Sequence, residues 1–343
     1  MRIPGMKHAQ RLRITTPDGI DEASFVRIGG IDQWISIRGE HRDNPVLLEI
    51  HGGPGASNLI YAARTRVWER HFTVVRWDMR GAGKTFGHTG PTGQGEMSLA
   101  QLERDGAEVT EYVRARLDVD KVVLVGCSFG SFVALRLARS HPEFFSAYVG
   151  TDQNINAGGR DRTAYAGLLD RLEKTGKRQD LAAVTAMTAD RSAWTTADRS
   201  RFDKHAVGSD PLTLDTVKKV VMGSLLTSPL HSLAEVRTYT RAMSFSECLA
   251  PQSVTIDEWA EGTDFAIPFF LFQGEYDVIT PPRSAQRFFD DVTAPIKKFA
   301  LIEDASHFAA LRRPDRFLDL LRTHVLPAIT AHVTPSAPAS SIN

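Results

Sequence analysis

Apolar and polar positions alternate along FVRIGGIDQWISIRG, residues 25–39, with two glycines at the centre. That pattern predicts two strands turning at Gly29-Gly30. Three later runs, PVLLEI, FTVVRW and VVLVG, are apolar on consecutive positions and each gives way to a polar or glycine-bearing loop. Such runs fit strands buried on both faces. Between the last two, MSLAQLERDGAEVTEYVRARL repeats Leu102, Val109, Val113 and Leu117 near helical period behind Ser98, whose spacing to Gln101 is that of a capping box. Strand patterns return in IPFFLFQGEYD and KKFALIEDASH, and RRPDRFLDLLRTHVLPAI predicts a closing helix. Strands separated by helices imply an α/β architecture with a mostly parallel central sheet and helices on both faces.

From about Thr151 to Gly262 the texture changes. This middle third is rich in Asp, Arg, Thr, Ala and Ser, with helical stretches such as TAYAGLLDRLEK and DTVKKVVMGSLL and no convincing strand. The expected organisation is a core over residues 1–150, a helical cap inserted over 151–262, the rest of the core over 263–332, and a polar, flexible tail over 333–343.

Composition narrows the class. The chain has 343 residues, 42% of them hydrophobic, enough for a large core. Lys plus Arg and Asp plus Glu number 41 each, so no basic surplus points to nucleic acid. Two cysteines make no disulfide framework, no signal-like run opens the chain, and no apolar stretch approaches 18 residues. The expectation is a cytoplasmic protein without a membrane partner.

DMRGAGKTFG, residues 78–87, carries the letters of a phosphate-binding loop. The position five residues before Gly83 holds Asp78 where such a loop needs glycine, and a carboxylate there repels phosphate. The stronger signal is VVLVGCSFGS, which sets Gly126-Cys127-Ser128-Phe129-Gly130 between a strand and a helical pattern. G-x-S-x-G in that context is a nucleophile elbow, with glycines leaving room for a sharp turn around the serine. A serine hydroxyl needs a base, and the base an orienting acid. Asp277 follows one predicted strand and His307 the next, in the chain order Ser, Asp, His; Glu275 competes with Asp277 two residues earlier. His51-Gly52-Gly53-Pro54-Gly55, after PVLLEI, suits an oxyanion hole in which the backbone N–H groups of Gly53 and Phe129 converge. His51 suits loop bracing better than a second base.

HGGPG, DMRGAGKTFG, GCSFG, Asp277 and His307 together resemble the α/β-hydrolase fold and, within it, the proline iminopeptidase (prolyl aminopeptidase) family, over nearly all of residues 25–330 outside the middle insertion. The resemblance implies a helical cap over Ser128 and release of an N-terminal residue, commonly proline, from a peptide. It also implies that DMRGAGKTFG is a brace beside the active site, with Asp78 and Arg80 tied into local hydrogen bonds, and that carboxylates, largely from the cap, hold the substrate amine. Glu247, Glu258 and Glu261 lie in that segment, with Trp194, Tyr239 and Trp259 as candidate pocket walls. Two departures stand out: Phe129 replaces the tryptophan usual after the serine, and Lys84-Thr85 replaces a smaller or serine ending.

The expected chemistry is acyl transfer to Ser128 with His307 as base and Asp277 as its orienting acid, acting on a small peptide or small acyl substrate. No metal or organic cofactor is implied. Activity is expected to fall as His307 takes a proton near pH 6 to 7, about the ordinary imidazole value. An esterase or amidase of the same machinery and a non-catalytic binding scaffold are the alternatives. Epoxide hydrolases and haloalkane dehalogenases use an aspartate nucleophile, which Ser128 argues against.

Overall fold

Two strands, β1 (Ile20–Ile28) and β2 (Ile31–Gly39), pair antiparallel about Gly29 and Gly30, whose φ values of 53° and 78° are what a two-residue hairpin turn requires. Six more follow: β3 (Val46–Ile50), β4 (Thr73–Asp78), β5 (Val122–Cys127), β6 (Phe145–Thr151), β7 (Phe269–Gly274) and β8 (Lys297–Ile302). They form one sheet in the order β1-β2-β4-β3-β5-β6-β7-β8, antiparallel at β1/β2 and β2/β4 and parallel elsewhere. The computed structural model describes residues 12–158, 162–230 and 232–330. The expected tail, 333–343, lies outside them.

Strand β6 is an addition to the sequence expectation. Serine, alanine and glycine dilute FSAYVGT, so no long apolar run marks it, although six of its seven residues are buried between β5 and β7. Along the inner strands neighbouring side chains serve opposite cores. Leu48, Leu124 and Leu271 face the helices Leu99–Leu117 (α2) and Gly130–Ser140 (α3), meeting Leu102, Val109, Phe132 and Val133. Leu47, Val123 and Phe270 face the other way, toward Trp68, Phe317, Leu321 and Val325. Both faces are therefore covered, as a parallel sheet requires.

Only half of the predicted capping box forms on α2. Ser98 Oγ accepts the Gln101 N–H at 3.0 Å, but the Gln101 side chain donates forward to Asp105 at 2.7 Å instead of back to Ser98. The stretch after β4 also differs from a plain loop, because Gly83–Thr89 forms a short helix, α1.

Between β6 and β7 the main described elements are helices: Thr163–Lys174 (α4), Thr196–Ser209 (α5), Leu233–Ser246 (α6) and Glu258–Glu261 (α7) among them. Tyr165, Leu168, Leu172, Trp194 and Phe202 give this region its own apolar cluster, which Val278 from beyond β7 joins. Polar ties hold it to the core: Lys84 on α1 pairs with Glu235, Ser246 Oγ donates to the Gly81 carbonyl at 2.9 Å, and Arg312 meets Asp215 at 2.9 Å. Among the described residues no helix is long and apolar enough to cross a membrane.

Candidate active site

Ser128 follows the end of β5 with φ 50°, a left-handed conformation that costs a non-glycine residue on the order of 1–3 kcal/mol. The surroundings impose it. A Cβ at Gly130 would overlap the carbonyl oxygens of Ile50 and His51, and one at Gly126 would come within 2.8 Å of Ala134 Cβ and 2.9 Å of Ser131 Cα. Ser128 N–H donates to Thr151 O at 3.2 Å, stitching the turn to β6, and α3 begins two residues later. The hydroxyl thus stands at the positive end of an 11-residue helix.

Asp277 and His307 follow the last two strands, β7 and β8. Ser128 Oγ lies 3.1 Å from His307 Nε2, and His307 Nδ1 lies 2.9 Å from Asp277 Oδ2. Asp277 is fixed on both oxygens: Oδ1 accepts the N–H groups of Ile279 at 2.8 Å and Thr280 at 2.9 Å, and Oδ2 also accepts the Thr280 hydroxyl at 2.6 Å. Such a carboxylate selects the tautomer with hydrogen on Nδ1, leaving Nε2 to accept from serine. The loops that carry the pair are tied together, Tyr276 N–H to Ala305 O at 3.0 Å and Ser306 Oγ to Tyr276 O at 3.0 Å. Asp277, not Glu275, faces the imidazole.

HGGPG lies against the serine. A Cβ at Gly52 would stand 3.0 Å from Ser128 Cβ, so only glycine lets the turn approach this closely. Gly55 does different work: a Cβ there would press on Ala242 O at 2.6 Å, so this glycine admits helix α6. His51 is buried, accepts the Met79 N–H on Nε2 at 3.1 Å and reaches Gly52 O from Nδ1 at 2.8 Å. Burial pushes its pKa down, against the charge of Asp78, and it braces the loop as a neutral ring. The stretch after β4 is a second brace. Asp78 accepts from Ser57 Oγ and from Lys84 N–H at 2.8 Å, and Arg80 grips Asp105 at 2.9 and 3.1 Å while donating to Gly29 O at 2.8 Å.

Burial lowers the His307 pKa, but Asp277, Asp152 and Asp203 outweigh it and raise it to about 9. The pH 6 to 7 expected of an ordinary imidazole is therefore displaced upward, because sequence order revealed one acid and the fold supplies three. Asp152 follows β6 and is fully buried; its carboxyl is raised to about 6, mainly by desolvation. Oxygen or nitrogen atoms of Asp152, Asp277 and His307 all lie within 4.8 Å of one another. Both imidazole nitrogens already face Asp277 and Ser128, so the cluster suits proton transfer better than metal ligation.

Asp203, on α5, is the third acid and, with Asp152, one of the two that motif reasoning missed. It has open surface, yet its carboxyl is raised by desolvation and feels the charges of Arg191, His307 and Arg199.

Two of the expected amine ligands lie elsewhere, a correction to the sequence expectation. Glu258 is buried and pairs with Arg139 at 2.9 Å, and Glu261 pairs with Arg139 at 3.1 Å and with Arg136. Arg139 sits near the far end of α3, about 14 Å along the helix from its start at ~1.5 Å per residue. These glutamates clasp α7 to α3. Glu247 is exposed in the turn after α6. Trp194 is packed inside the helical region, 4.9 Å from Phe202 between ring centres, with its N–H donating to Thr188 O at 2.7 Å. Trp259 packs edge-on against Phe288, and Tyr239 joins Tyr61, Val220 and Leu225 in a small apolar cluster.

Residues 45–314 match the family model described as alpha/beta hydrolase fold. A probable aminopeptidase, YbaC, from Bacillus subtilis is 24% identical over 302 residues, covering 87% of this chain and 94% of that protein. A proline iminopeptidase from Lactobacillus delbrueckii subsp. bulgaricus is 27% identical over 208 residues, 59% of this chain and 67% of the relative. Among solved structures, a proline iminopeptidase-related protein from Thermus thermophilus superposes with a TM-score of 0.61 at 17% identity, covering 92% of this chain and 100% of its own. At that identity the likeness speaks for the fold alone.

Proposed function

The chain belongs to the alpha/beta hydrolase fold family, and from that premise we propose that it is a serine hydrolase of aminopeptidase type, releasing an N-terminal residue from a small peptide. The single observation that carries this is the unbroken path from Ser128 Oγ through His307 to Asp277, at 3.1 and 2.9 Å. His307 Nε2 takes the hydroxyl proton as Ser128 attacks the scissile carbonyl, and Asp277 stabilises the imidazolium that results. The N–H groups of Gly53 and Phe129 receive the oxyanion, and the positive end of α3 adds to them. His307 then protonates the leaving amine, and water, activated by the same ring, releases the acyl group from Ser128.

The peptidase reading draws on the names of the relatives and on Asp203. The helices between β6 and β7 act as a cap, and the Asp203 carboxylate, within electrostatic reach of His307, holds the substrate's α-ammonium group. Arg191 and Arg199 favour the ionised form of that carboxyl, against the desolvation that raises its pKa. The test is a panel of aminoacyl p-nitroanilides, free and N-blocked, beside p-nitrophenyl esters, with Ser128→Ala as control. Cleavage that requires the free amine, with KM raised about tenfold or more by Asp203→Asn, is expected. Equal cleavage of blocked compounds would reject the peptidase in favour of an esterase or amidase.

A further inference from the structure

We propose that Asp152 is a second acid for His307, a positioning residue that shares the imidazolium with Asp277 and sustains part of the reaction when Asp277 is neutralised. The inference rests on the serine-hydrolase reading above.

Asp152 follows β6, one strand over from the serine turn, with φ 48°, and its side chain is wholly buried. One oxygen, Oδ1, accepts the Ala309 N–H at 3.1 Å and so anchors the segment two residues beyond the base. The other, Oδ2, faces the Cys127 thiol at 3.8 Å, a weak donor. An asparagine would hold Ala309 equally well. The charge is what the loop anchor leaves unexplained, since a buried carboxylate is costly without a cation. Around Asp152 the influential charged groups are His307 and Asp277, and of these His307 alone favours the ionised form. The cation that Asp152 needs therefore exists when His307 is protonated, which is the state the ring reaches as serine attacks. Asp277 and Asp152 approach the ring from the ends of β7 and β6, and the charge of Asp203 on α5 also acts on it; the Thr280 hydroxyl lies 3.3 Å from Nδ1. Stabilising the imidazolium from two sides favours proton transfer from Ser128 and raises the pH at which the free ring becomes a base.

Asp152→Asn separates the charge from the anchor, because the amide oxygen can still accept from Ala309. Two readouts decide the matter. The first needs no turnover: the His307 titration followed by NMR in protein labelled with 15N-histidine. Its midpoint, expected at about 9 in the unaltered chain, should drop by on the order of one pH unit in Asp152→Asn. In Asp277→Asn, and in Asp277→Asn with Asp203→Asn, it should stay above the ordinary 6.5, because Asp152 remains in both. The second is kcat/KM on the substrate that the anilide and ester panel selects. Asp152→Asn should cost at least about tenfold more in an Asp277→Asn background than alone, the non-additive signature of two groups serving one ring.

An unmoved midpoint in Asp152→Asn, or additive losses in the double variant, would overturn the proposal. Should Asp152→Asn fail to fold, the midpoint in chains carrying both Asp277→Asn and Asp203→Asn decides alone: above 6.5 sustains it and at or below 6.5 overturns it. Absence of any turnover by the unaltered chain would count against the hydrolase reading while the NMR midpoints still judge Asp152.

Discussion

At Ser128, backbone and side chain serve one end. The φ of 50° is held by close packing at Gly126 and Gly130, and it sets the hydroxyl 3.1 Å from the imidazole. Gly130→Ala would drive a methyl into the Ile50 and His51 carbonyls, so we expect at least about 2 kcal/mol lost in urea unfolding together with activity; a stable, active variant would show that the turn has slack. On the proposed reading the imidazole sets the pH dependence. His307 must be neutral to accept the serine proton, and its pKa is about 9, so kcat/KM should climb as pH rises and level off above pH 9. A plateau reached already at pH 7 would mean that the three carboxylates do not act on the ring together. The serine, its flanking glycines, Asp277 and His307 were legible because each follows a strand in a fixed order. Asp152 and Asp203 were not, since their weight comes from proximity across the fold, and no local spacing encodes it.

At the scale of elements, loops at successive strand ends are stitched into one surface by Ser128 N–H to Thr151 O, Ala309 N–H to Asp152 and Tyr276 N–H to Ala305 O. Hydrophobic runs announced most strands, but β6 escaped because FSAYVGT is diluted by small residues, and α1 hid inside a stretch that resembled a loop. Charge pairing was equally hidden: Glu258 and Glu261 looked available until α3 presented Arg136 and Arg139. Burial, against the pull of Arg139, raises the Glu258 carboxyl to about 7 from an ordinary 4.5. The folded chain thus holds this proton more tightly than the unfolded chain, and stability falls as pH rises from about 4.5 towards about 7. Arg139→Met leaves the carboxylate buried without its partner, and we expect about 3–5 kcal/mol lost at pH 8 but less at pH 5, where Glu258 takes a proton. Denaturant unfolding at the two pH values checks this, and equal losses would show that the clasp does not depend on the charge of Glu258.

Across the whole molecule, a parallel sheet covered on both faces brings together groups that chain distance separates by 179 positions between Ser128 and His307. The helical region is joined to that sheet at Lys84–Glu235, at Arg139–Glu258 and where Gly55 meets Ala242, and it carries Asp203 toward the base. On the proposed reading specificity and chemistry reside in different layers: neutralising Asp203 should alter which substrates bind, whereas Ser128→Ala should remove about 10⁴-fold or more of kcat whatever the substrate. The most direct measurement is covalent. The chain is treated with a fluorophosphonate at pH 9, digested and read by mass spectrometry, beside Ser128→Ala and His307→Ala. The account predicts one adduct, on the peptide containing Ser128, lost in the first variant and slowed at least about a hundredfold in the second. No adduct, or labelling of Ser128 that proceeds equally fast without His307, would contradict it.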